Sequence, residues 1–599
     1  MMYRQSSPVD RLPEEILSYI FTLGVQFDDI PKRPDRCYLP ESNELLSPCH
    51  AVAYDFPWMV AAVTKHWRYV ALSTSELWSK IFVSITDALD RSASDDLFLF
   101  SQRTFLSRSG NFSLDVLIDA RDPEWDFTEF DSSTAGNTPG VNNNARYDYA
   151  HPFSVEHMRK SLNMILPHIH RCRSIVILTD RWLPMQLVLT ALSTGSADGM
   201  AGSKGIPRAT RLETLSLMRC NEFQSYTPRF SPEDRAGPVL LPFANALDGT
   251  ALPRLKKLTL SGVHVAWPTL PLLLPCVSSS FGSQLRSLEL SYHQRSVRPR
   301  AADFRLLLER CSCLEKLAIK VSGPVRTTQE SVNFVLAQDP IHLPFLRSFT
   351  LGYDDVSSAV DILRLMDAPE LRFFGLEDST FAAALYEVDA DDLMRFCALK
   401  SVTLPRISGL RFDNVQCNPI FPKVNTVLLH AMKATSESFR LFFTSLPGLN
   451  SLTLSQTSVW ATNALRPSRP CDPEFCPCPY LDQLVFRGQE TAMHPAVAQM
   501  LDERTIYGTI VRDVQLNPVI GVSEMRGQAA YYNVEDVDEL DNDALNAQAD
   551  EWEREHEMDD TDEDDELPDA EDTDFPGFLA RDVTQLEQLV FAGSSHANH

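Results

Sequence analysis

Three thiols crowd one short stretch, CDPEFCPCP, at Cys471, Cys476 and Cys478. Thiolates at that density suggest zinc, but a structural zinc site takes four ligands, normally from paired groups. No second pair lies nearby, so a proline-rich loop carrying thiols is the better reading and no metal is assigned. PHIHRC alternates His168, His170 and Cys172, which share one side if the segment is extended. They fall at a helix-to-strand junction, again favouring structure over metal binding. STGSADGMAGSKG (Ser193 to Gly205) has the glycines of a phosphate loop. It lacks the G-K-[ST] ending and a strand leading into it, so it reads as a linker. No G-x-S-x-G, H-E-x-x-H or kinase signature set occurs. No catalytic residue, cofactor or metal is expected.

The bulk numbers bound the setting. A chain of 599 residues exceeds one compact core and calls for several domains or a repeat array. The start, MMYRQSSPVDRLPEE, lacks an apolar signal region, and the greasiest run, Leu270 to Val277, is too short to span a bilayer. Cytoplasm or nucleus, with reduced thiols and no membrane, is the expectation. The formal charge of −27 is uneven: Glu535 to Asp574 holds 22 acidic residues against Arg554 alone, so −21 sits there and −6 elsewhere. Neither part offers the net basic field of a nucleic-acid binder. The composition of 534–575 predicts disorder, and 576–599 turns apolar again.

Eleven hexads of the pattern L-x-x-L-x-L provide the framework. They start at Cys172, Leu212, Leu255, Leu285, Leu314, Leu346, Leu371, Leu399, Val424, Leu449 and Leu481. From Leu255 the steps are 30, 29, 32, 25, 28, 25, 25 and 32 residues, the period of a solenoid. The fourth and sixth residues of each share one face of a strand, and the first reaches the core from the preceding bend. Helical stretches follow several hexads, at Ala301 to Arg310, Ser357 to Met366, Asp391 to Phe396 and Ser436 to Ser445. Burying three aliphatics gains about 5–9 kcal/mol, whereas ordering some 28 residues costs roughly 1–2 kcal/mol each. One unit cannot fold alone; stacking must supply the rest. Eleven strands would span about 50 Å, enough to hold a folded partner or a long peptide.

This pattern resembles irregular leucine-rich repeats. It departs from them eight residues after the first leucine, where an asparagine or cysteine usually satisfies the turn. Only Cys220 fits; Val263, His293, Ile407 and Met432 stand elsewhere, so the turns must be satisfied differently. The variable positions between the apolar ones, such as Glu289, Lys320 and Thr350, would face a target. NFSLDVLIDA (Asn111 to Ala120) alternates as a strand that could start the sheet.

The N-terminal block reads as helices. Asp10 can cap a helix with Pro13 in its first turn and Glu14 and Glu15 at its positive end. Leu12, Ile16, Leu17, Ile20 and Phe21 keep helical spacing. A loop from Gly24 to Asp55 follows, then helical periodicity from Pro57 to Ile81. RLPEEILSYIF and VTKHWRYVALSTSELW together resemble the F-box motif in its fungal form, over Val9 to Ile85, with 24–55 as an insertion.

The combined expectation is an α/β solenoid of irregular leucine-rich repeats with an all-helical F-box-like N-terminal domain and a disordered acidic segment. The spans are 9–85 (F-box-like), 86–170 (linking), 171–490 (repeats), 491–533 (post-repeat), 534–575 (acidic) and 576–599 (apolar). What the resemblance implies is a substrate receptor of a Skp-cullin-F-box ubiquitin ligase. The helices would bind a Skp-type adaptor, and through it a cullin; the repeats would bind an unknown protein target. Leu12, Pro13, Glu15, Ile16, Ile20 and Phe21 would belong to the first half of the adaptor surface, and Val63, Trp67, Leu72, Leu77 and Trp78 to the second. Some of these must be core. A non-catalytic scaffold whose helices merely cap the array is the alternative, and an enzyme the least favoured reading.

Overall fold

The computed structural model describes residues 12–26, 48–89, 99–122, 151–197, 208–220, 243, 252–274, 284–324, 339–379, 390–400, 419–467, 476–489 and 494–518. Met1–Val519 with Phe578–His599 forms one unit and Ile520–Gly577 a second; the architecture below belongs to the first. Asp10, Cys471, Ile407, most of the 24–55 insertion and of the glycine-rich linker, and the 534–575 and 576–599 segments lie outside the described residues.

The hexads become strands of one parallel sheet. In chain order the strands are β1 (Lys80–Ser84), β2 (Leu114–Ala120), β3 (Cys172–Thr179), β4 (Thr214–Arg219), β5 (Lys257–Ser261), β6 (Ser287–Ser291), β7 (Lys316–Lys320), β8 (Ile341–His342), β9 (Ser348–Tyr353), β10 (Met366–Asp367), β11 (Phe373–Asp378), β12 (Thr426–His430), β13 (Ser451–Ser455), β14 (Gln483–Gln489) and β15 (Asp513–Pro518). Thirteen of them pair in sequence order, and β8 with β10 makes a separate two-stranded ribbon. Parallel neighbours need a crossover, and several crossovers carry a helix: Ala301–Arg310, Val356–Arg364, Asp391–Leu399 and Ser436–Thr444. The arrangement is that of a leucine-rich-repeat-type solenoid. In the ten hexads that form strands the three apolar positions are buried, as with Leu255, Leu258 and Leu260, or Leu449, Leu452 and Leu454.

The sheet is longer than the hexads announce, at both ends. Ile81 of β1 lies opposite Val116, and Val116 opposite Ile175. Trp78, Ile81 and Val83 therefore hold the first, fourth and sixth positions of an initial repeat, and all are buried. The F-box-like span thus ends inside the sheet. β2 lies in the segment read as linking, and β15 in the segment read as post-repeat. Val511, Val514 and Leu516 form a last hexad in which valine twice replaces leucine.

The hexad at Leu399 is a correction. β11 pairs directly with β12, Leu376 against Leu429, so no strand stands between them. Leu399 closes the helix Asp391–Leu399, and Lys400 caps it in the left-handed conformation at φ 57°. Leu393, Phe396 and Cys397 are buried on that helix, and this helical period takes Leu399 with it.

The turns are satisfied by backbone geometry. Seven residues after the first apolar position, Gly262, Tyr292, Val321, Ala431 and Gln456 all have φ between 48° and 61°. Each donates its N–H to the next repeat's strand end: Gly262 to Ser291 O, Tyr292 to Lys320 O, Val321 to Gly352 O, Ala431 to Ser455 O and Gln456 to Arg487 O. One position later, Thr457 does part of an asparagine's work, donating to Leu429 O (3.0 Å), and the Ser322 hydroxyl lies 2.8 Å from Lys320 O. β9 and β11 instead run one residue further, to Tyr353 and Asp378, beside the crossover that swallowed the Leu399 hexad.

Candidate protein-docking surface

Among the described residues three α-helices precede β1, α1 (Glu14–Gln26), α2 (Pro48–Val63) and α3 (Lys65–Ser73), followed by a 3-10 turn at Ser75–Trp78. The helices α1 and α2 reach into both ends of the segment expected to be loop, and Pro57 lies within α2 rather than starting it. Leu17, Phe21 and Val25 recur every fourth residue and form the buried stripe of α1. The Phe21 and Trp67 rings pack with centroids 5.1 Å apart. A Cβ on Gly24 would stand 2.3 Å from the Phe56 ring, so α1 and α2 cross where only glycine fits. Thr64 caps α3, accepting the Trp67 N–H at 3.0 Å. Thr74 donates to Ser18 at 2.9 Å, fastening the end of α3 to α1.

This block is built into the array. Trp78 donates through Nε1 to Ala71 O at 2.8 Å. Trp58 and Phe105 pack edge-on against its ring at 5.2 and 5.0 Å. The Arg108 guanidinium stacks over both Trp78 (4.3 Å) and Trp58 (4.7 Å). Lys80, the first residue of β1, donates to Val25 O at 2.9 Å.

The residues expected to contact an adaptor divide. Phe21, Leu77 and Trp78 are buried at 1% or less, so as folded they cannot touch a partner; they are core. Their removal from the contact set follows from their spacing, which places them on the inward stripe. Leu12 and Trp67 are half-buried and pack against the core. Pro13, Glu15, Ile16, Ile20, Val63 and Leu72 are exposed. Three further residues extend these last into stripes: Tyr19 with Ile16 and Ile20 on α1, Met59 with Val63 on α2, Tyr69 with Leu72 on α3. All seven apolar side chains in these stripes are 42–62% exposed. Tyr19, Met59 and Tyr69 were legible in principle, since each stands three or four residues from a residue already singled out.

Among the described residues, the candidate thiols and imidazoles make local structural contacts. Cys478 donates to Phe443 O at 3.2 Å, and Cys476 lies 3.3 Å from the Thr509 hydroxyl. Burial pushes the Cys478 thiol up to about 12. Cys172 donates to His168 O, and burial followed by the neighbouring charges of Arg171 and His170 lowers the His168 pKa. No group of three or more His, Cys, Asp or Glu among the described residues could hold a metal ion. His151 and Asp180 resemble a catalytic dyad, with Nε2 3.3 Å from Oδ2. Yet Nδ1 accepts the Phe153 N–H at 3.1 Å, and Asp180 also takes the Asp122 N–H at 2.6 Å. Both ring nitrogens are occupied, leaving none to serve a substrate. A cavity lined only by leucines, among them Leu215, Leu258 and Leu273, offers no polar group to orient a ligand. No helix among the described residues is long and apolar enough to cross a membrane.

The sheet face opposite the core carries a polar row. Ser261, Ser291, Lys320, Gly352, Glu377, His430 and Ser455 stand in register on consecutive strands, and the six with side chains are buried to 3% or less. Of the variable positions expected to face a target, Lys320 and Thr350 are buried and Glu289 half-buried. This middle stretch is not an open contact face.

No family model matches this chain, and no curated protein matches it. Among solved structures it is similar to the leucine-rich repeat-containing protein LegL7 from Legionella pneumophila, at 12% identity and a TM-score of 0.29, covering 56% of this chain and 91% of that one.

Proposed function

We propose that this chain is the substrate receptor of a Skp-cullin-F-box type ubiquitin ligase. The observation that carries the reading is the set of exposed apolar stripes on α1, α2 and α3, within the Val9 to Ile85 span that resembles the F-box motif. Isolated exposed apolar residues are ordinary; contiguous helical stripes of Ile, Tyr, Met, Val and Leu are suited to a partner. Ile16, Ile20, Val63 and Leu72, with Tyr19, Met59 and Tyr69, would bind the Skp-type adaptor, and the adaptor would recruit the cullin. The solenoid would hold a protein target. Ubiquitin transfer would proceed by proximity, the receptor raising the effective concentration of a target lysine near a conjugating enzyme supplied by other subunits. The chain would supply no nucleophile.

A scaffold that engages no cullin is the second reading. It is favoured by Trp78 and Lys80, which make the helical block continuous with the first strand, as a cap would be. The test is co-purification of the full chain with its host's Skp adaptor and cullin, wild type against Ile16→Glu/Ile20→Glu. Both side chains are exposed, so the variant should fold. Capture of adaptor and cullin by the wild type, lost in the variant, supports the receptor. Capture of neither by folded wild type leaves the scaffold.

A further inference from the structure

The strand-start edge of the sheet carries a continuous ladder. The residue after the first apolar position donates its N–H to the same position of the preceding repeat, through Arg173, Glu213, Lys256, Arg286, Glu315, Arg347, Arg372, Asn425, Asn450, Asp482 and Arg512, at 2.7–3.0 Å. Consecutive side chains on such a ladder stand about 4.8 Å apart. The ladder holds six basic and three acidic residues, net +3, in a chain that is acidic even outside its 535–574 segment.

Most of its cations are neutralised locally. Arg173 pairs with Asp115, Lys256 with Glu213, Arg286 with Glu315 and Arg512 with Asp482. Arg347 and Arg372 differ. They are adjacent and exposed, and neither is in an ion pair or side-chain hydrogen bond among the described residues. Glu370, which feels both arginines, is bonded to Lys423, and its pKa is lowered by that bond and charge and then by the two arginines. Asn425 and Asn450 follow, so four consecutive rungs present donors and no carboxylate over about 15 Å. Like charges side by side on neighbouring strands cost stability. Beside them Phe345, two residues before Arg347, is 56% exposed.

We propose that this stretch, Arg347, Arg372, Asn425 and Asn450 with Phe345, binds an acidic peptide segment of a partner protein. Two guanidiniums match two carboxylates by bidentate pairing, the amides accept or donate to its backbone, and Phe345 takes an apolar side chain. Glu213, Glu315 and Asp482 interrupt the basic rungs on either side, which suits a short segment and disfavours the uniform charge of a nucleic acid. In the receptor reading this names the chemistry of the target. It rests on that reading only for its setting, since peptide binding requires no adaptor.

The test is fluorescence anisotropy of the full chain with a labelled twelve-residue peptide of alternating glutamate and alanine carrying one central leucine. Arg347→Glu/Arg372→Glu should weaken binding at least 20-fold. The control Arg103→Glu/Lys433→Glu makes the same change of net charge at exposed sites off this edge and should shift it less than threefold. Wild-type affinity should fall as salt rises. Equal weakening by both variants, or tighter binding of a single-stranded oligonucleotide than of the peptide, overturns the proposal. Should the charge reversal fail to fold, Arg347→Gln/Arg372→Gln carries the same reading, with at least a fivefold loss expected.

Discussion

His293 ties two turns of the array together: its Nδ1 lies 2.9 Å from the Ser322 hydroxyl, one repeat on. Its Nε2 lies 3.0 Å from Val263 O, one repeat back, so Nε2 carries the proton. The ring stands eight residues after the first leucine of its repeat, where an asparagine is usual. It does the bonding from a neutral state, since burial, then Arg298 and His264, lowers its pKa to about 3. His430, bonded to Ser455, is lowered to about 4, first by burial and then by Lys320.

A pH dependence follows. Both histidines bind a proton less readily folded than unfolded, where the pKa is about 6.5. The unfolded state then takes up more protons between the two values, so stability is full above about pH 6.5 and falls as pH drops toward 4. From pH 7.5 to 5 the loss should be about 2 kcal/mol per histidine. Urea unfolding at the two pH values measures it. His430→Asn, which keeps a donor toward Ser455, should remove about half of the difference; an unchanged difference would sink the assignment.

Core and contact residues in the N-terminal block should separate cleanly. Trp78 is buried, hydrogen-bonded and ringed by Trp58, Phe105 and Arg108. Trp78→Ala should cost about 3–5 kcal/mol and loosen β1 along with α3, seen as faster amide exchange in Lys80–Ser84. Ile16→Ala/Ile20→Ala should cost under about 1 kcal/mol and, in the receptor reading, weaken adaptor binding roughly tenfold or more. Amide exchange confined to the helices in Trp78→Ala would separate the block from the sheet.

Arg504 should guard the two described thiols of the CDPEFCPCP loop. Its buried guanidinium donates to Leu465 O, Pro477 O and Cys478 O. Arg504→Met leaves three carbonyls without that donor and should cost about 3 kcal/mol or more. Cys476 and Cys478, both buried, should resist iodoacetamide in the wild type and react at least tenfold faster in the variant, read by peptide mass spectrometry. Equal labelling rates would remove Arg504 from this role.

The sequence shows the repeat plainly where leucine occupies all three core positions, as at Leu212, Leu255, Leu285 and Leu449. It shows less where another residue fills the same space. Trp78, Ile81 and Val83 make a complete first repeat, hidden because Trp78 also ends the F-box-like pattern. Val511 and Val514 hide the last. Leu399 misleads in the other direction, since six residues can fit a strand pattern while nine fit a helix, and only the pairing of β11 with β12 decides. The exposed stripes were half legible: spacing put Ile16 and Ile20 beside Phe21, but which stripe faces inward depends on α2 and α3. The basic edge was not legible, because net charge averages over faces that the ladder separates.

The left-handed turns give a paired test of the repeat geometry. Gly262 and Gln456 hold the same position in their repeats, at φ 61° and 48°. Glycine adopts this conformation freely, whereas a side chain pays roughly 1 kcal/mol. At Gly262 an added Cβ would also come within 3.0 Å of Arg219 O. Gly262→Ala should therefore destabilise by about 1–2 kcal/mol. Gln456 is exposed, so Gln456→Gly loses little packing and should stabilise by about 0.5–1 kcal/mol, net of the extra freedom glycine gives the unfolded chain. Opposite signs at equivalent positions, measured by denaturant unfolding, are the expected outcome; destabilisation at both would mean that Gln456 contributes a contact that outweighs its strain.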